Sequence, residues 1–371
     1  MKSPIRLLVV LAAMSATVVA AAAPVQASDA GGGAVFVQTN DPTGNSIDAY
    51  HRNGDGTLTF LRSYPTGGLG GRELGAGSDP IATQGSLRFD DGLLLAVNPG
   101  SNTVSAFAVN GDQLALVQVV GSGGPFPASI ATHGDLVYVA DAGGAGFVSG
   151  FRLAGGKLHP IEGSTRSLGL ANGNPPFFLA SPAQVGFTPD GEHLVVTTKT
   201  NSTVDVFSVN PDGRLSAAPT KNAAAPVPFA WVFDTAGRIV LNFAGTSSLE
   251  TFTVNEDNTI SPVSAPVSDT RAALCWITPA GGYLYTSNTG SGDVSQFQVL
   301  ANGAVVLVNP VAASGIPGAT DSAAAGGRTL YVQSGSSSTV HVFSIGAGGA
   351  LSPIQVAAVP DGGSQEGIVV T

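Results

Sequence analysis

One cysteine, Cys275, stands in 371 residues. A single thiol excludes any intramolecular disulfide, so the fold must rest on apolar burial, and 43% hydrophobic residues can supply it. Charge is scarce as well, at 11% of residues, and it leans acidic, with 15 Lys and Arg against 25 Asp and Glu. No basic patch or basic-aromatic interleaving is present, which argues against nucleic acid and anionic membrane surfaces as partners. No window shows a capped apolar period of 3.6 residues, so helix is expected to be nearly absent beyond the leader. The five histidines (51, 133, 159, 193 and 341) show no metal-ligand spacing. Neither a His-Glu-x-x-His pair nor a Gly-x-Ser-x-Gly elbow occurs. No metal and no cofactor is expected.

What is present begins with a leader. Lys2 and Arg6 precede the apolar run Leu7–Ala23, and Val25-Gln26-Ala27 gives a small-residue cleavage pattern. That is the anatomy of a secretory signal peptide over residues 1–27. A membrane anchor is the competing reading, but Ser15 and Thr17 interrupt the run and no basic cluster follows it. The mature chain is expected to be secreted or held in a periplasm or cell envelope, as a monomer with no membrane span. Without Lys2 and Arg6 its formal charge moves from −10 to −12.

Past the leader the chain repeats itself. Val-x-x-Phe-like strands recur as IDAY (47–50), VSAF (104–107), VSGF (148–151), VDVF (204–207), LETF (249–252), VSQF (294–297) and VHVF (340–343). Their spacings are 57, 44, 56, 45, 45 and 46 residues, a period near 45 with two insertions, at Gly67–Gly77 and Gly163–Phe178. Within the fourth unit, AQVGF (183–187), HLVVT (193–197), TVDVFSV (203–209) and RLSAAP (214–219) are four short apolar runs fenced by Gly, Asn, Asp and Pro. Four strands repeated seven times predict an all-β, seven-bladed β-propeller over residues 34–371, with four antiparallel strands per blade. AVFVQTN (34–40) reads as a second strand lacking a first, and QEGIVVT (365–371) as a first strand lacking the rest. The two ends are therefore expected to complete one blade together, which leaves the ring no broken blade and protects its sheet edges.

The most complete unit, Pro189–Val209, resembles the lactonase family of seven-bladed propellers, which includes bacterial 6-phosphogluconolactonase and fungal carboxymuconate lactonising enzyme. QGSLRFDDG (84–92), LVYVADAGGAGFVSGFRL (136–153) and SPAQVGFTPDGEHLVV (181–196) are similar to an exported bacterial branch of it. The resemblance spans about 34–371 and implies lactone chemistry in carbohydrate metabolism. This chain departs from the family's catalytic pattern in three places. Where catalytic members resemble one another in Gly-Pro-Arg-His, it reads Ser181-Pro182-Ala183-Gln184. Where they carry Asn-Glu-Leu it has Thr198-Lys199-Thr200, and Asn288 is followed by Thr289 rather than Arg. A lactone hydrolase needs a cation for the anionic group and a residue to move a proton, and neither stands at the expected places.

The functional surface of a propeller is expected at the mouth of its central channel. The positions after the second strands are Asn40, Asn98, Asp141, Lys199, Ala244, Asn288 and Ser334, with Asp141 and Lys199 the charged members. These two either neutralise each other or bind a polar small molecule. Gln84, Ser86, Gln184, Trp276 and Asp321 join Asn98, Asp141, Lys199 and Asn288 as candidate lining, with Trp276 read as wedged between blades. Cys275, in AALCWITP, reads as a small buried hydrophobe rather than a nucleophile. HRNGDGT (51–57) and NPDGR (210–214) lack a calcium loop's acidic spacing and read as turns. No residue is assigned a catalytic role. The expectation is a binding scaffold for a small molecule or a protein, the alternative being an active exported lactonase with a rearranged site. A purely structural envelope protein is a third reading.

Overall fold

The computed structural model describes Met1 and residues 32–360, 362, 363 and 365–371, so the expected leader lies, but for Met1, outside the described residues. Seven antiparallel sheets follow one another around a ring. Blade 1 runs from its outer edge as Leu58–Pro65, Ser46–Arg52 and Ala34–Gln38, with Ile368–Val370 innermost. Val35 lies opposite Val370 and Val37 opposite Ile368, so the two chain ends do complete one blade.

The inner strands of blades 2 to 7 are Leu87–Asp90, Pro127–His133, Pro182–Phe187, Pro228–Phe233, Leu274–Ala280 and Ala319–Ala325. Each blade then steps outward through tight hairpins. At Asn210–Arg214 the turn closes with Gly213 N donating to Asn210 O at 2.8 Å, and Gly213 sits at φ +84°, where a Cβ would be strained. Among the described residues the only helical elements are two single 3₁₀ turns, at Pro99–Ser101 and Ala347–Gly349.

The repeat's apolar pairs are what the blades bury. Val104 and Phe107, Val204 and Phe207, and Val294 and Phe297 are each at most 1% exposed. Burying each such side chain contributes roughly 1.5–3 kcal/mol, which lets the ring stand without a disulfide. One strand differs from expectation. In blade 4 the outer strand is Thr220–Ala223, and RLSAAP contributes only a single bridge from Leu215 to Val209. Leu215 is drawn inward to the cluster of Phe187 and Phe207, so its segment leaves the edge, and Thr220–Ala223 pairs with Thr203–Val206 instead.

Candidate functional site

The segment that follows the first insertion does not stay at the rim. Gln84 N and Thr83 Oγ1 donate to Ala183 O of blade 4, and Trp276 Nε1 of blade 6 donates to Thr83 O at 2.9 Å. Ile277 N of blade 6 donates to Gln84 Oε1. Glu366, just before the last strand of blade 1, accepts from the backbone N–H groups of Ile81, Ala82 and Thr83 at 3.1, 3.1 and 2.7 Å. A segment bonded to blades 1, 4 and 6 has to cross the ring's axis. Ile81–Thr83 is fully buried there and plugs the mouth of the channel. The second insertion holds the plug from outside, with Leu74 N donating to Pro176 O and Phe178 N to Leu74 O.

Four charged groups are gathered around the plug. Lys199 Nζ donates to Ala82 O at 2.7 Å, lies 3.8 Å from Glu73 Oε2, and sits over the Phe229 ring. Burial pushes the Glu73 carboxyl up to about 8, with Lys199 pulling the other way. Burial also raises Asp79 and Glu366, and Asp79 adds repulsion at Glu366. Cys275 is buried beside them with its thiol pushed up, as befits an apolar packing residue.

The sequence candidates separate by what their side chains hold. Asn98 is consumed by structure, donating to Thr103 and Ser105 and accepting from Asn45 and Thr66. Asn288 likewise donates to Asp293 and Ser295. Ser86 Oγ donates to Glu366 O, and Trp276 packs edge-on against Phe229, so both hold the plug. Asp141 and Lys199 do not pair: Lys199 takes Glu73, while Asp141 is buried and pushed up to about 8 with only Ser122 easing its charge. Gln184 clasps the next blade, its amide donating to Trp231 O and accepting from Trp231 N.

Gln84 and Asp321 remain, both at the wall of the open channel, with the Asp321 carboxyl buried against backbone N–H groups. Below the plug the channel forms two lobes of about 240 and 370 Å³ that share Gln84, Arg88 and Val232. Burial pushes Asp321 up to about 7. Reading positions after the second strands could not find Arg88, Glu73, Asp79 or Glu366, because Glu73 and Asp79 lie in or beside the first insertion, Arg88 lies on the inner strand of blade 2 and Glu366 precedes the last strand. A shallow depression between the lower turns of blades 5 and 6 has Asp234 as its one charged lining residue, and Arg238 already neutralises it.

The family model described as "Lactonase, 7-bladed beta-propeller" matches residues 244–364. A search of curated proteins finds no match. Among solved structures, the periplasmic gluconolactonase of Pseudomonas aeruginosa superposes with a TM-score of 0.73 at 19% identity, over 92% of this chain and 99% of that one. A putative 6-phosphogluconolactonase from Bacteroides uniformis gives 0.71 at 18%, also over 92% and 99%. Another from Bacteroides fragilis gives 0.69 at 19%, over 93% and 98%. At these identities the likeness to the solved structures is one of fold.

Proposed function

We propose that this lactonase-family seven-bladed propeller is an exported, monomeric binding scaffold and not a lactone hydrolase. The observation that carries the reading is the plug. A lactone approaching the mouth meets Ile81–Thr83, whose N–H groups are already spent on Glu366 and whose Ala82 carbonyl is spent on Lys199. The departures at Ala183, Gln184 and Lys199 from the family's Arg, His and Glu support the same reading. A shared scaffold does not carry activity with it. Export is supported by the leader pattern of residues 1–27, and N-terminal sequencing of protein from cell fractions tests it.

One observation favours hydrolysis as the second reading. Glu73, pushed to about 8 and beside Lys199, has the character of a general acid–base group, provided the plug can swing out. The deciding experiment is hydrolysis of simple sugar lactones by the purified chain. The expected rate equals that of buffer. A rate above buffer that Lys199→Ala or Glu73→Gln abolishes overturns the binding reading.

A further inference from the structure

The lobes below the plug hold a cation that the fold does not use. Arg88 and Asp321 are the charged residues lining them. Arg88 is exposed to the channel, and its Nε donates to Thr132 Oγ1 at 3.3 Å. Its two terminal nitrogens have no protein partner among the described residues. Asp321 does not neutralise it: the Asp321 carboxyl is buried and turned to backbone N–H groups, with Ser322 N at 2.8 Å. Gln84 adds a second donor. Its Oε1 accepts from Ile277 N, which fixes the amide so that Nε2 is the free end, and Nε2 has no partner among the described residues.

Position on the inner strands tells which way this pocket opens. Phe89, Thr132, Phe187, Phe233 and Pro279 all come from the later halves of their strands, away from the plug. A ligand would therefore enter from the face opposite the sealed mouth.

The geometry points to a binding site for a small, singly charged hydroxycarboxylate in this lower channel, with the Arg88 fork on the carboxylate and Gln84 Nε2 beside it. A guanidinium presents paired donors that match the two carboxylate oxygens. One cation balances one negative charge, so a phosphate dianion would leave charge uncompensated in a narrow space. Thr278 and Ser322 line the same lobe; their hydroxyls bond to each other at 2.7 Å and keep lone pairs to accept from a polyhydroxy chain, and Val232 and Ile277 suit its carbon skeleton. The site deepens the binding reading above and rests on it for its role.

Calorimetric titration of the purified chain with gluconate, glucose and inorganic phosphate tests it. Gluconate is expected to bind with a dissociation constant of about 1 mM or tighter, and glucose to give no heat. Arg88→Met should weaken gluconate binding at least about tenfold with an unchanged melting temperature, because Arg88 supports only one hydroxyl contact. Gln84→Glu keeps the acceptor for Ile277 and should also weaken binding. No heat from gluconate up to about 10 mM, equal binding of glucose, tighter binding of phosphate, or wild-type affinity in Arg88→Met each overturns the site. Lactone hydrolysis dependent on Lys199 would defeat the binding reading by itself, and the Arg88 titration would still decide this pocket independently.

Discussion

Glu366 and Thr83, 283 residues apart in the chain, meet at 2.7 Å through Glu366 Oε1 and the Thr83 N–H. Glu366 stands two residues before Ile368, which opens the innermost strand of blade 1. The strand that completes the ring therefore also delivers the acceptor that seats the plug. Closure of the wheel and sealing of its mouth are one event.

Replacing Glu366 should separate them. Glu366→Ala would leave three buried N–H groups, those of Ile81, Ala82 and Thr83, with no acceptor. Each such orphan costs roughly 1–3 kcal/mol, so a loss of several kcal/mol is expected, visible in thermal unfolding and as new protease cleavage within 73–84. Glu366→Gln retains one oxygen acceptor and should lose less. Wild-type melting and protease resistance in the alanine variant would mean that the plug is held by other contacts.

Asp141 governs a pH response. Its carboxyl titrates near 3.8 when unfolded and at about 8 when buried, burial being the cause. The folded state thus binds the proton more tightly, so this contribution to stability is complete below about pH 4 and is lost as pH rises through about 8. Glu73, raised for the same reason, pushes in the same direction. Asp141→Asn removes the titration. The variant should match wild type near pH 4 and exceed it by an amount on the order of 1–3 kcal/mol near pH 9, read from denaturant midpoints. A constant difference between the two proteins across that range would refute a buried neutral Asp141.

Much of this fold could be read in advance because its determinants are local and repeated. Val104 and Phe107 recur in kind at Val294 and Phe297, and a strand that buries one of the pair on each face has one place in a blade. The site was less legible because its determinants are neither local nor repeated. Gly67–Gly77 reads as a Gly-rich insertion, and nothing near it signals that the segment after it will cross the axis to reach Glu366. Leu215 has strand chemistry, yet the hydrophobic space beside Phe187 outbid the sheet edge. Gln84 was found as a lining residue, but Arg88, four residues on, was not singled out. Which way a short inner strand turns its side chains depends on a bulge-prone register that only the coordinates give.

The ring also carries a latch that repeats between neighbouring blades. Tyr138 Oη of blade 3 donates to Gly213 O of blade 4 at 2.8 Å, Tyr285 of blade 6 to Gly349 O of blade 7 at 2.7 Å, and Tyr331 of blade 7 to Gly56 O of blade 1 at 2.9 Å. In each case a second-strand tyrosine reaches the outermost hairpin turn of the next blade, where a buried carbonyl has turned away from its own sheet. Tyr138→Phe keeps the ring's volume and its edge contact with Phe187, removing only the donor. Leaving Gly213 O unsatisfied should cost about 1–3 kcal/mol, a few degrees in melting temperature for a chain of this size. Because Tyr138 and Tyr285 lie on separate blade interfaces, the losses in Tyr138→Phe and Tyr285→Phe should add within about 0.5 kcal/mol in the double variant. A double variant no less stable than either single one would mean that the hydroxyls are incidental and that apolar packing alone sets the spacing of the blades.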